Sequence, residues 1–219
     1  MKYLETSKQK LFLRIGSLII WLVLILQLIL ILENRVTAVP ETTIRFFSYF
    51  TIQTNILVAL CFTALGWKSK SRFSRFFTNP NTVTAIAVYF TIVALIYNTV
   101  LRFMIQLEGL QLLVDTMLHV IIPIGFVVYW YFFVNNTTVK WKDVFLWLIF
   151  PLAYLIYTIV RGSFVDFYPY PFVDVKKLGL NSVLINSFFV ALTFLLFSLL
   201  YVFISKRKNR NLKGIKEEV

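Results

Sequence analysis

The chain has 219 residues, 59% of them hydrophobic, and carries a net charge of +12. Apolar runs fill so much of that length, at a mean hydropathy of +0.78, that an ordinary soluble domain and a separate domain beside the runs are both excluded. The basic excess does not indicate nucleic acid as a partner, because the Lys and Arg residues flank the apolar runs and form no binding face.

A helix needs about 20 mostly apolar residues to cross a hydrocarbon core of about 30 Å. Residues 11–32, 43–65, 83–103, 112–133, 144–160 and 182–203 meet that requirement. The expected fold is all-α: a polytopic membrane protein with a bundle of six transmembrane helices over residues 1–205 and a basic, frayed tail over 206–219. The first run follows basic residues and could pass for a signal peptide. Its apolar stretch is longer than the usual h-region of about 7–15 residues, and Val36-Thr37-Ala38-Val39 is a poor cleavage site, so it reads as a retained signal-anchor.

Charge sets the expected orientation. Lys2, Lys8, Lys10 and Arg14 precede the first run, Lys68, Lys70, Arg72 and Arg75 lie between the second and third, and Lys140 and Lys142 precede the fifth. Lys206, Arg207, Lys208, Arg210, Lys213 and Lys216 follow the sixth. All of these fall on one side of a six-span chain, with only Glu5, Asp143, Glu217 and Glu218 against them. The positive-inside rule then puts both termini in the cytoplasm. On the outer side Glu33, Glu41, Glu108, Asp115, Asp166 and Asp174 match Arg35, Arg45, Arg102, Arg161, Lys176 and Lys177 one for one.

Polar residues inside the spans cluster toward the outer side, while the inner halves are almost purely apolar. The second span carries Arg45, Ser48, Thr51 and Asn55 at three- and four-residue steps, which places them on one face of a continuous helix. Thr54 lies beside that face. Asn98 and Arg102 on the third span are four apart, as are Asp115 and His119 on the fourth. Arg161 closes the fifth span, and Asn186 lies near the start of the sixth. At about 1.5 Å per residue, Thr51 and His119 sit at similar depths, roughly 10 Å below the outer surface. Pro123 and Pro151 each remove a backbone donor and should bend their helices.

His119 is the only histidine. An ionisable group within a span usually marks function, and at i,i+4 Asp115 can hydrogen-bond the imidazole and fix its tautomer. The same pair could instead only hold helices together. Arg102 either anchors a ligand carboxylate through its planar fork or snorkels to the headgroups. Cys61 is a single buried-type thiol with no partner for a disulfide.

Phe50-Thr51 on the second span, His119 followed by Pro123 on the fourth, and Tyr170-Pro171-Phe172 in the last outer loop form a set that resembles the androgen-induced protein family, which includes the androgen-dependent TFPI-regulating protein. The resemblance spans nearly the whole chain in span number, spacing and motif order. It implies a threonine hydrolase that cleaves fatty acid esters of hydroxy fatty acids (FAHFAs), with an intramembrane threonine and histidine as the catalytic pair. The matching residues are Thr51 and His119, and the aromatic approach Phe47-Ser48-Tyr49-Phe50 favours Thr51 over Thr54.

The expected function is therefore an intramembrane lipid esterase, with Thr51 as nucleophile, His119 as base and Asp115 orienting the imidazole. Ser48 joins the substrate-binding set, with Asn55, Asn98 or Asn186 as oxyanion donors and Arg102 or Arg161 holding a free carboxylate. The aromatic loop 167–172 would serve as a lid. No metal or other cofactor is expected, since ester hydrolysis requires none and a lone histidine without cysteine clusters makes a poor zinc site. The partners would be membrane lipids or a lipid-like ester. The Lys-, Asn- and Ile-rich style suggests a bacterial plasma membrane. Two other readings use the same residues: a transporter or lipid-binding protein with the same polar pocket, and a structural subunit whose polar groups join helices.

Overall fold

A computed structural model describes residues 7–67, 69–104 and 106–217, without the side chains of 211–217. Lys2, Glu5, Lys68 and Glu218, which entered the charge argument, lie outside these residues, as do the side chains of Lys213, Lys216 and Glu217. Among the described residues the chain is all-helical, and six helical segments are long and apolar enough to cross a membrane. It is an integral, multi-pass membrane protein of the all-α class. Backbone N–H and C=O groups have no water to bond in hydrocarbon, and a helix satisfies them internally.

The chain forms two compact units, Met1–Val134 and Asn135–Val219. The first contains α1 (Ser7–Glu33), α2 (Val39–Ser48), α3 (Phe50–Trp67), α4 (Arg72–Thr78) and α5 (Pro80–Thr99). A 3-10 turn, Leu101–Met104, then leads to α6 (Gly109–Thr116), a π turn (Met117–Ile121) and α7 (Ile122–Phe133). The second unit contains α8 (Asp143–Trp147), α9 (Ile149–Val165), a 3-10 turn (Pro171–Val173), α10 (Val175–Leu178) and α11 (Leu180–Glu217).

The core of the first unit lies along α3, α5 and α7. Phe62 packs on Phe126 and Tyr129 at centroid distances of 5.6 and 5.3 Å, and Phe90 meets Phe126 at 5.9 Å. Trp130 Nε1 donates to Thr84 Oγ1 at 2.9 Å, so the indole is buried with its polar atom satisfied. Between lipid tails, helices associate through close packing and hydrogen bonds more than through hydrophobic burial. The α1–α3 contact shows both: a Cβ on Gly16 would lie 2.9 Å from Phe62 Cδ2. Ser17 Oγ and Thr63 Oγ1 are 2.6 Å apart, and Arg14 Nε donates to Gly66 O at 2.9 Å. Leu11, Leu18, Leu22 and Ile25 on α1 remain exposed, as lipid-facing residues should.

Four expectations about local structure need correction. The second span is not one helix: Tyr49 is extended (φ −77°, ψ 127°) between α2 and α3. The break leaves α2 carbonyls without helical donors, and Gln53 Nε2 meets one of them, Phe47 O, at 3.0 Å. Arg45 and Ser48 thus belong to one helix and Thr51 and Asn55 to another, so the continuous face does not exist. Arg102 sits on the 3-10 turn after α5, not one α-helical turn beyond Asn98. Asp115 and His119 keep their expected i,i+4 contact, although they straddle the junction of α6 and the π turn.

The fifth span is interrupted at Leu148, between α8 and α9. Pro151 has no N–H for the carbonyl of Trp147 four residues back, and the helix restarts there. The tail is not frayed where expected, because α11 continues through Lys206 to Glu217. Asn209 Nδ2 donates to Asn136 O at 3.1 Å, near the start of that extension.

Paired charges on the expected outer side do occur. Arg45 binds Glu41 at 2.7 Å, Lys176 binds Asp166 at 2.5 Å and Lys177 lies 3.7 Å from Asp174.

Candidate functional site

The site is built at the π turn of the fourth span. In an α-helix the Leu118 carbonyl would accept from the N–H of Ile122, but Ile122 N–H reaches back to Met117 O instead. The next residue, Pro123, has no N–H to offer. Asn55 of α3 supplies a donor from outside, with Nδ2 3.3 Å from Leu118 O and 2.8 Å from Thr51 O. Two carbonyls facing the same nitrogen fix the amide's orientation. The helical turn of α3 that holds Thr51 and Asn55 is thereby tied to the turn that holds His119. Single-turn π segments are frequent at functional sites because they reorient one side chain without ending the helix.

His119 Nδ1 lies 2.9 Å from the Asp115 main-chain oxygen and 3.1 Å from Asp115 Oδ1. Flanked by two acceptors, Nδ1 must carry the proton, which leaves Nε2 as the basic nitrogen of the neutral ring. The other carboxylate oxygen, Oδ2, accepts from the Tyr97 hydroxyl. The Tyr97 ring stacks on the imidazole at a centroid distance of 3.9 Å and an interplanar angle of 12°. Tyr97 and Asp115 are buried, at 6% and 7% exposure. A carboxylate in such a setting requires its hydrogen bonds, and Asp115 has them from both sides.

Tyr97 was missed in the sequence. It has no helical spacing to Asp115 or His119, because it reaches them from α5. Tyr97 also lines a pocket of about 300 Å³ whose wall includes Arg102, Gln106, Glu108, Leu112 and Val120. Among the described residues the Arg102 guanidinium makes no ion pair.

The other sequence candidates divide. Thr51 is buried in the first turn of α3. Thr54 directs its hydroxyl to Phe50 O at 2.9 Å and Thr51 O at 3.0 Å, so its proton is committed to its own helix. Ser48 Oγ likewise bonds Ile44 O at 2.7 Å. Asn55 has both amide hydrogens engaged, and its buried Oδ1 is unpaired, so it cannot donate to an oxyanion without releasing the π turn. Asn98 Nδ2 donates to Ala94 O at 2.8 Å.

Arg161 and Asn186 belong to the second unit. Arg161 lies over the Phe167 ring at 5.5 Å, and Asn186 Nδ2 donates to Phe172 O at 3.0 Å. Tyr170 stacks on Phe172 at 5.4 Å, and Tyr168 covers Gly162 so closely that a Cβ there would enter its ring. These contacts pin the aromatic loop to its own unit. Burial, helped by the carboxylates of Asp174 and Asp166 and opposed by Lys176, raises the Tyr168 phenol above its ordinary value.

Comparison with protein-family models, curated proteins and solved structures finds no match.

Proposed function

We propose that the protein is an intramembrane threonine-type esterase that hydrolyses lipid esters, FAHFAs or similar acyl esters, in the outer half of a membrane whose inner side holds both termini. The observation that carries this reading is the imidazole on the π turn. Asp115 accepts the hydrogen bond of its Nδ1–H, which leaves Nε2 to act as base inside a span.

In this reading Thr51 Oγ1 attacks the ester carbonyl carbon while its proton passes to His119 Nε2. The tetrahedral intermediate collapses, the bond to the alcohol oxygen breaks, and that oxygen takes the proton from Nε2 as the alcohol leaves. Water then attacks the acyl-threonine carbon and gives a proton to Nε2. The bond to Oγ1 breaks, Thr51 recovers the proton and the free acid departs. Asp115 holds the ring and stabilises the imidazolium in both halves. The resemblance to the androgen-induced protein family supports the assignment of Thr51 and of the ester class. The residue style supports a bacterial plasma membrane.

The test is peptide mass spectrometry after brief exposure of the purified protein to a FAHFA and an acid quench. The expected result is an acyl group on the peptide carrying Thr51. Acyl on any other side chain excludes Thr51 as nucleophile.

One observation favours a second reading, ligand binding without chemistry: the pocket wall contains Arg102, Gln106 and Glu108 but neither Thr51 nor His119. A binding protein would retain its ligand in Thr51→Ala and lose it in Arg102→Gln, with no product formed by the parent.

A further inference from the structure

We infer that Tyr97 is a positioning residue for His119, acting through Asp115, and that the working unit is Tyr97–Asp115–His119. The inference rests on the esterase reading and extends it to a residue on a different helix. Three contacts converge on Tyr97. Its hydroxyl donates to Asp115 Oδ2, its ring lies parallel to the imidazole at 3.9 Å, and its side chain forms part of the pocket wall.

The first two restrict different freedoms. Asp115 Oδ1 faces Nδ1 at 3.1 Å, so rotation of the carboxylate would swing that acceptor away. The Tyr97 hydroxyl holds the opposite oxygen and stops that rotation. The parallel ring stops the imidazole from tilting about its own axis, which would misdirect Nε2. Both restraints come from α5, outside the fourth span that carries Asp115 and His119 together. The π turn strengthens the need: it reorients His119 away from regular α-helical geometry, so an outside brace must define the new orientation. The brace comes from α5 through Tyr97, as Asn55 of α3 braces the backbone of the same turn.

His119 is the only histidine, so histidine labelled with 15N gives a single imidazole to observe in the whole protein. The parent, Tyr97→Phe, Asp115→Asn and the double variant are compared in detergent, each checked for folding by its melt. The spectra are taken at a pH where the ring is neutral. The parent should show one tautomer, with Nδ1 protonated and Nε2 bare, and Tyr97→Phe, which keeps the ring stack and the main-chain acceptor, should keep that tautomer with a shifted Nδ1 resonance as the carboxylate turns away. Turnover should fall about tenfold in Tyr97→Phe with KM changed by less than about twofold. In the Asp115→Asn background the same substitution should cost less than about twofold, because its effect passes through Asp115.

A Tyr97→Phe protein with an unshifted Nδ1 resonance and full turnover overturns the inference and leaves the esterase reading standing. So does a loss of equal size in both backgrounds. A parent that turns over no ester sinks the esterase reading, and this inference with it.

Discussion

Replacing Asn55 should separate the scaffold of the π turn from its chemistry. In Asn55→Leu the Leu118 carbonyl loses the side-chain donor that reaches it, at 3.3 Å, in a place with no bulk water. The Thr51 carbonyl loses less, since Thr54 Oγ1 still donates to it at 3.0 Å. A stranded buried carbonyl costs about 1–3 kcal/mol. The lower half of that range applies because the bond is long and membrane hydrogen bonds average about 0.6 kcal/mol. Removing the unpaired Oδ1 of Asn55 gives some of this back. The net expectation for Asn55→Leu is a loss of about 1 kcal/mol.

Asn55→Asp has nearly the same shape but behaves differently. A carboxylate would face both carbonyl oxygens with no proton to offer, and an uncompensated buried charge costs about 3–5 kcal/mol. The two variants should therefore differ by at least about 2 kcal/mol, with Asp the worse. Unfolding in mixed micelles of rising SDS content, followed by circular dichroism, measures both. Equal stability of the two variants, or Asp above Leu, would refute the reasoning, because the two carbonyls would then not be the partners of residue 55.

Pro123→Ala restores the N–H that the π turn lacks, so the fourth span should relax toward a regular α-helix; stability should hold or rise while ester turnover drops at least about tenfold, read by a melt and a turnover assay on one preparation. Gly16→Val should destabilise the α1–α3 contact by about 1–3 kcal/mol in the same micelle titration, since even a Cβ would meet Phe62 at 2.9 Å. Gly162→Ala forces the Tyr168 ring aside, and ultraviolet titration should then find the Tyr168 phenol ionising at lower pH than in the parent, because burial is the largest cause of its raised value.

The spans were legible because apolar runs of the required length have few other uses, and the Asp115–His119 pair was legible because i,i+4 neighbours meet on a helix. The break at Tyr49 was hidden by continuous hydropathy through residues 43–65; the group that supports it is the Gln53 amide, a side chain bonding backbone, which no periodicity reports. The π turn was half legible. Pro123 announced a missing donor, but the shift of the Ile122 N–H to Met117 O depends on Asn55 arriving from α3. Tyr97 was not legible at all, because an aromatic residue near a span end has many uses and its partners lie on another helix. Lys and Arg density suggested a loose tail after Lys206, yet those residue types are good helix formers and simply prolong α11.

The most direct measurement is hydrolysis of a FAHFA by the purified protein in detergent, with released fatty acid read by mass spectrometry. Thr51→Ala and His119→Ala run beside the parent, each shown to be folded by its melt. The account predicts turnover by the parent and loss in both folded variants. A well-folded parent that releases no acid across several chain lengths, or a Thr51→Ala protein that turns over like the parent, would contradict it.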